Sequence, residues 1–355
     1  MALSYKKNEV KCDIGSYIHY WRGLKKSGKT TLFYDLVKEQ YKSLDKGLLI
    51  AVGDEIGYLA LDGLVYIETP TWDELMEVVE DLAENKKDNE FEIIGIDTVD
   101  EMVKLAKEEV KVIHRRTHNG ERKEFNACLG GYGAPRDKVI ELIDGVLATL
   151  RKAGYGIVCI GHTRIKDIKT KAGEEYQQLT SNLNADYDGI FSNKADICMT
   201  ISVENEIDEN KHVQETNRYM YFRTDGFVDA GGRFADIPVR VEYGAKNYIE
   251  AFEAGVKGAI LGKVTDKEIE KRKASEIKER KEKAEKIAED LKSNAVDLER
   301  NEELLDEIKD LFKAADEGTQ KTVKSFMKGH NINSFKEPDA IPTKDLEEIL
   351  HLLSE

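Results

Sequence analysis

The stretch Gly23–Thr30, GLKKSGKT, constrains this chain more than any other. It has the form G-x-x-x-x-G-K-T, a phosphate-binding loop that works between a strand and the N-terminus of a helix. Gly23 and Gly28 let the backbone turn back, so that several N–H groups, those of Lys26 and Ser27 among them, point into one concavity. Lys29 brings a cation to the β- and γ-phosphates, and the Thr30 hydroxyl is placed to ligate Mg²⁺. The flanks agree. Tyr17–Trp21 is rich in β-formers, and Leu32, Leu36 and Val37 have helical spacing in Thr31–Ser43. The ligand implied is ATP with Mg²⁺.

Further apolar runs extend the pattern. Gly47–Val52 (GLLIAV) reads as a buried parallel strand that ends in Gly53-Asp54-Glu55. This puts a carboxylate at the edge where open α/β sheets bind ligands. Leu64–Ile67 is a short strand, and Thr71 with Glu74 has capping-box spacing. Phe91–Asp97 has the form of a Walker B strand, with Asp97 in the metal shell. Asp100 and Glu101 follow; either could be catalytic, but both read first as acids at a helix start, favoured by its dipole. Pro135 opens a helix through Lys152, and Gly156–Gly161 is a buried strand leading to His162. Asp196–Val203, Arg218–Thr224 and Val239–Tyr243 look like further strands. Alternating strands and helices predict an α/β fold with a mostly parallel, doubly wound sheet.

Two irregular segments are basic. Arg115–Ala134 carries Arg115, Arg116, Arg122, Lys123, Phe125 and Tyr132, and Arg164–Tyr176 carries Arg164, Lys166, Lys169 and Tyr176. Aromatic residues among cations suit single-stranded DNA, which is held by backbone attraction and base stacking. The bland alternative is a pair of solvated loops. The net charge is −15 and the pI about 5.2, so any nucleic-acid contact has to be local. Cys12, Cys128, Cys159 and Cys198 lack C-x-x-C spacing, which argues against zinc or a disulfide framework and fits a reducing cytoplasm. The first residues are too polar for a signal peptide, and no apolar run is long enough to span a bilayer.

Composition changes near Gly262. The expected organisation is a core over 1–262, a charged helical linker or short coiled coil over 263–300, and a small helical module over 301–355. The linker is dense in Lys, Arg and Glu, with only a thin apolar stripe through Ile269, Ile277, Ala284, Ile287 and Leu291. In the module, Leu304, Leu305, Ile308, Leu311 and Phe312 share a face. Val323, Phe326 and Met327 form a second helix ending at Gly329, and Pro342-Thr343 opens a third.

The order of these elements resembles the RecA-type ATPase core. More narrowly, it is similar to the phage RecA-like ATPases of the Sak single-strand annealing group, over roughly Asp13 to Ile260. The resemblance implies that Thr31 joins Gly23, Gly28, Lys29 and Thr30 in binding nucleotide and metal, that Glu55 activates the attacking water, with Glu101 the next candidate for the base, and that Asp97 is the Walker B residue. His162 stands where such proteins carry a γ-phosphate sensor, often glutamine. The two basic segments match DNA-binding loops, and Arg233 falls near a position that acts in trans across a subunit interface. It also implies a ring or filament of identical subunits, DNA recombination by strand annealing, a single-strand DNA-binding protein as the tail's partner, and a bacterial host cytoplasm. A different class stays open: a P-loop ATPase that loads or adapts a replication protein through its helical tail. A small-molecule kinase fits less well, because the tail is long and charged and no lid segment is evident.

Overall fold

The apolar runs lie side by side as the parallel strands of one sheet. The computed structural model describes residues 5, 7–171, 173–208, 212–262, 264–293, 298–330, 332 and 341–354. In chain order its first elements are β1 (Ile18–Gly23), α1 (Lys29–Tyr41), β2 (Gly47–Val52), β3 (Tyr66–Thr69), α2 (Trp72–Glu84), β4 (Ile93–Asp97), α3 (Val99–Thr117) and α4 (Ala134–Lys152). Then come β5 (Gly156–Lys169), β6 (Glu175–Ser181), α5 (Ala185–Ser192), β7 (Ile197–Ile207), β8 (Val213–Tyr221), β9 (Gly231–Gly232), β10 (Arg240–Glu242) and α6 (Ala245–Ala259). The tail holds α7 (Asp266–Ser293), α8 (Leu298–Ala314), α9 (Glu317–Gly329) and α10 (Thr343–Ser354).

Among the described residues the sheet has ten strands in the order β10-β8-β7-β1-β5-β4-β2-β3, with β6 added to β5 and β9 to β7. From β7 to β3 every neighbour on this path is parallel. The pairs made by β6, β8, β9 and β10 are antiparallel. This is the mostly parallel, doubly wound α/β architecture that the alternation predicts. Side chains alternate across the strands. On one face Leu32, Phe33 and Leu36 of α1 and Tyr248 and Phe252 of α6 pack against Trp21, Val158 and Ile160. On the other, Val79, Met102, Val139, Ile143 and Phe191 cover Tyr20, Ile96 and Ile157. Thr71 and Glu74 form the expected capping box, and Pro135 sits in the first turn of α4.

The two basic segments differ from expectation. β5 does not stop at the apolar run but continues through Lys169 and pairs with β6, so the segment after His162 is a β-ribbon rather than a loop. The period-2 alternation of Arg164-Ile165-Lys166-Asp167-Ile168 is a strand pattern with both faces partly polar. α3 likewise runs on through Thr117, so Arg115 and Arg116 are helical.

The chain divides into two compact units, residues 1–284 and 285–355. The first reaches beyond the boundary expected at 262, for an ionic reason. The Glu276 carboxylate accepts the backbone N–H groups of Cys12 and Asp13 at 2.8 and 2.9 Å. The Arg280 guanidinium donates to Asp13 at 2.6 Å, to Glu92 at 3.0 Å and to Ser16 at 2.6 Å. Asp13 and Glu92 are buried. The inward face of this part of α7 is charged, and apolar periodicity cannot reveal such a face. In the second unit, Leu304, Leu305, Ile308, Val323, Leu346 and Ile349 form a core of their own. The Asn301 amide donates to Ile341 O at 2.7 Å. The four cysteines are free thiols, and among the described residues no His/Cys/Asp/Glu cluster could hold a metal ion. No described helix is long and apolar enough to cross a membrane.

Arg280→Ala leaves buried Asp13 without its cation and buried Glu92 with only Lys281, at 3.7 Å. It should cost about 3–5 kcal/mol, read as a lower urea midpoint; an unchanged midpoint would remove α7 from the core.

Candidate active site

Four strand ends build the site. β1 ends at Gly23, and the loop runs to Gly28, whose φ of 99° lies in the left-handed region that glycine tolerates. α1 then starts at Lys29. The sheet inserts β5 between β1 and β4, in the register Gly23↔His162 and Asp97↔Ile160. His162 therefore lies between the phosphate loop and Asp97. β2 follows on the far side of β4, with Ala51 opposite Asp97, and delivers Glu55 just past its end.

The residues converge. The Thr30 hydroxyl donates to Asp97 Oδ2 at 2.6 Å, joining the two groups expected to hold the metal. Lys29 is buried, and its ammonium donates to Gly23 O at 3.1 Å and Leu24 O at 3.0 Å. Burial lowers the Lys29 pKa against the opposing pull of Asp97, Asp100 and Glu55. Burial pushes Asp97 up to about 6, offset in part by the Thr30 hydroxyl. A hydroxyl and a buried carboxylate in contact are oxygen donors of the kind that Mg²⁺ takes. Glu55 lies close by. A Cβ built on Gly57 would sit 2.9 Å from Glu55 Oε1 and 3.2 Å from Thr30 Oγ1. Glu101 instead pairs with Lys104 in the first turns of α3.

Asp100 turns out to be more than a helix-start acid. Its Oδ2 accepts the His162 backbone N–H at 2.9 Å and lies 3.4 Å from His162 Nδ1, while Oδ1 accepts from the Asn182 amide at 3.0 Å. Asn182 N–H also donates to His162 O. Asp100 thus ties both strands of the ribbon at its root. Burial would raise its pKa, but the His162 and Asn182 bonds outweigh that and hold it below the usual carboxylate range. With Nδ1 directed at Asp100, Nε2 is the ring nitrogen left for a ligand.

The remaining loop residues Lys26 and Thr31 are exposed and Ser27 is buried, with Lys26 at φ 61°. Along the ribbon, Arg164 and Lys166 share a face, whereas Lys169 lies on the other and pairs with Glu175 at 3.4 Å. Arg122 is exposed, Arg116 lies 4.0 Å from Glu109, and Lys123 pairs with Glu121 at 3.2 Å. Tyr132 is fully exposed at φ 51° between two glycines. Arg233 lies beside the start of β7, at the end of the sheet away from the phosphate loop. It is engaged with Asp196 at 2.8 Å, a pair that any role in trans would have to break. Two neighbours of the loop carried no local signal in the sequence: Arg218 of β8 and Tyr243, which reach it only through the order of the sheet.

A family model described as an AAA domain matches residues 19–234. The chain belongs to that family. The matched span holds the phosphate loop, Glu55, Asp97, His162 and Arg233, so the AAA domain coincides with the site assembled above and carries a nucleotide-binding, ATPase-type core. The comparison with curated proteins found no match.

Asp97 gives the AAA domain a pH signature. A carboxyl raised to about 6 in the folded, nucleotide-free protein, against about 3.9 unfolded, favours folding when protonated. That stability is present below about pH 4 and lost as pH rises through about 6. Asp97→Asn should therefore stabilise the nucleotide-free protein at pH 8 by about 2–3 kcal/mol and little at pH 4, while removing nucleotide hydrolysis. Equal unfolding midpoints for the two proteins at pH 8 would contradict it.

Proposed function

We propose that this protein is a Mg²⁺-dependent ATPase of the RecA-like kind that binds single-stranded DNA and promotes strand annealing in recombination. The observation that carries the ATPase part is the convergence of Lys29, Thr30, Asp97, Glu55 and His162 on one edge of the sheet. Lys29, freed from the Gly23 and Leu24 carbonyls, binds the β- and γ-phosphates. Thr30 and Asp97 hold Mg²⁺, which when bound offsets charge on the phosphates. Glu55 orients the attacking water and takes its proton, and His162 Nε2 meets the γ-phosphate.

The DNA part is supported by the ribbon. His162, Arg164 and Lys166 alternate along a single strand and so share one face. A phosphate backbone held by Arg164 and Lys166 is then linked through that strand to the γ-phosphate contact. Tyr132, presented fully exposed, suits base stacking. A ring or filament of subunits, a single-strand DNA-binding protein as partner of the tail, and a phage origin with action in a bacterial cytoplasm belong to the same reading. The separate apolar core of residues 285–355 favours a second reading, a loader or adaptor that acts through its tail.

ATP hydrolysis with and without single-stranded DNA, over a salt series, tests these readings. Stimulation that fades with salt is expected for the recombinase, whereas hydrolysis indifferent to DNA favours the loader. Lys29→Ala should abolish hydrolysis, and Glu55→Gln should bind ATP without turnover. Retained Mg²⁺-dependent hydrolysis in Lys29→Ala would sink the assignment. Replacing Arg164 and Lys166 by Ala should remove most of the stimulation and leave basal hydrolysis within about two-fold, since removing a cation that pairs with phosphate weakens DNA binding independently of sequence.

A further inference from the structure

Two side chains close on the phosphate loop that the mechanism above does not use. Tyr243 donates its hydroxyl to Gly28 O at 2.8 Å, and Arg218 donates Nη1 to Ser27 O at 3.3 Å. The Arg218 guanidinium carbon lies 4.0 Å from the Tyr243 ring centroid, so the cation rests on the aromatic ring. The pair fills the space beside Gly28: a Cβ there would meet Tyr243 Oη at 2.6 Å and Arg218 Nη1 at 2.8 Å. Arg218 is nevertheless exposed, so Tyr243 covers only part of the guanidinium. Its partners among the described residues are a carbonyl and an aromatic ring, with no carboxylate.

A structural role explains this poorly. The start of α1 is the positive end of the helix dipole, where an arginine is the wrong charge for helix stability. A ligand explains it better, and the strand order indicates which part of the ligand. Asp97 and Glu55, which mark the γ-phosphate and metal end, come from β4 and β2 on one side of β1. Arg218 and Tyr243 come from β8 and the end of β10 on the other side. A triphosphate laid along the loop with its γ-phosphate at Asp97 directs its nucleoside toward Arg218.

We propose that Arg218, backed by Tyr243, is the platform on which the base of the bound nucleotide stacks. The guanidinium is planar and weakly hydrated and stacks on π-faces. Tyr243 holds one side of it and is itself fixed to Gly28, so the platform keeps its distance from the phosphate cradle. A stacking contact of this kind tolerates any base, because every base offers a π-face. The assignment rests on the nucleotide-binding reading above.

The test compares ATP with inorganic tripolyphosphate, each with Mg²⁺, by calorimetric titration of wild type, Arg218→Ala and Arg218→Lys. Arg218→Ala should bind ATP roughly ten-fold more weakly, in line with removal of one stacking partner from a base, and bind tripolyphosphate as wild type does. That unchanged affinity also reports an intact loop. Arg218→Lys keeps the charge but not the plane and should behave like Arg218→Ala. Equal losses for ATP and tripolyphosphate would make Arg218 a phosphate ligand and overturn the platform, as would no loss for either. A wild-type protein that binds neither ligand would overturn the nucleotide reading itself, and the platform with it.

Discussion

The site depends on the parallel pairing that inserts β5 between β1 and β4. Its register sets His162 beside Gly23 and leaves Asp97 level with Ile160, two residues before His162 on β5. A slip of one residue would turn every side chain of a strand to the opposite face. Thr30 would then lose Asp97, and His162 would lose Asp100. The buried run Ile157–Ile160 holds that register by close packing, because a slip would exchange side chains of different shape between two filled faces at once. The polar chemistry at the strand tips is therefore positioned by apolar packing deeper in the sheet.

At those tips the electrostatics divide into two kinds. Asp97 and Lys29 are both pushed toward their neutral forms by burial, so the site holds its principal charged groups at a cost. Such groups gain most when a ligand brings complementary charge, and they need little rearrangement to receive it. Asp100 behaves in the opposite way. Its hydrogen bonds favour the carboxylate, and it joins the strand to the helix. Neighbouring acids on one short segment thus differ: burial pushes Asp97 toward its neutral form, whereas hydrogen bonds hold Asp100 as a carboxylate.

The sequence made the local features legible. The phosphate loop, the strand Gly47–Val52 with the bounds observed, the Thr71–Glu74 cap and the entry of α4 at Pro135 are each set by residues within a few positions of one another. What stayed hidden depends on the fold. The pairing of Arg218 and Tyr243 with Ser27 and Gly28 follows from sheet order and spans about half the chain. Asp100 looks like any helix-start acid until β5 and β6 bring His162 and Asn182 to it. The ribbon and α6 had readable periods, the second through Tyr248, Ala251, Phe252 and Val256. Basic charge in the one and the lack of a capping side chain in the other obscured them.

The ionic anchor of α7 has a consequence for synthesis. Asp13 meets Arg280 from 267 positions downstream, and the N–H groups of Cys12 and Asp13 wait as long for Glu276. At ribosomal rates of about 5–20 residues per second, that interval is on the order of ten seconds to a minute. Through it Asp13 and Glu92 of the nascent chain lack the α7 cations that meet them in the closed unit. The unit can close only when nearly all of its own chain has left the ribosome. Its folding is thereby tied to completion of the chain, and a product truncated before α7 keeps the whole phosphate loop without the clamp that seals the sheet beneath it.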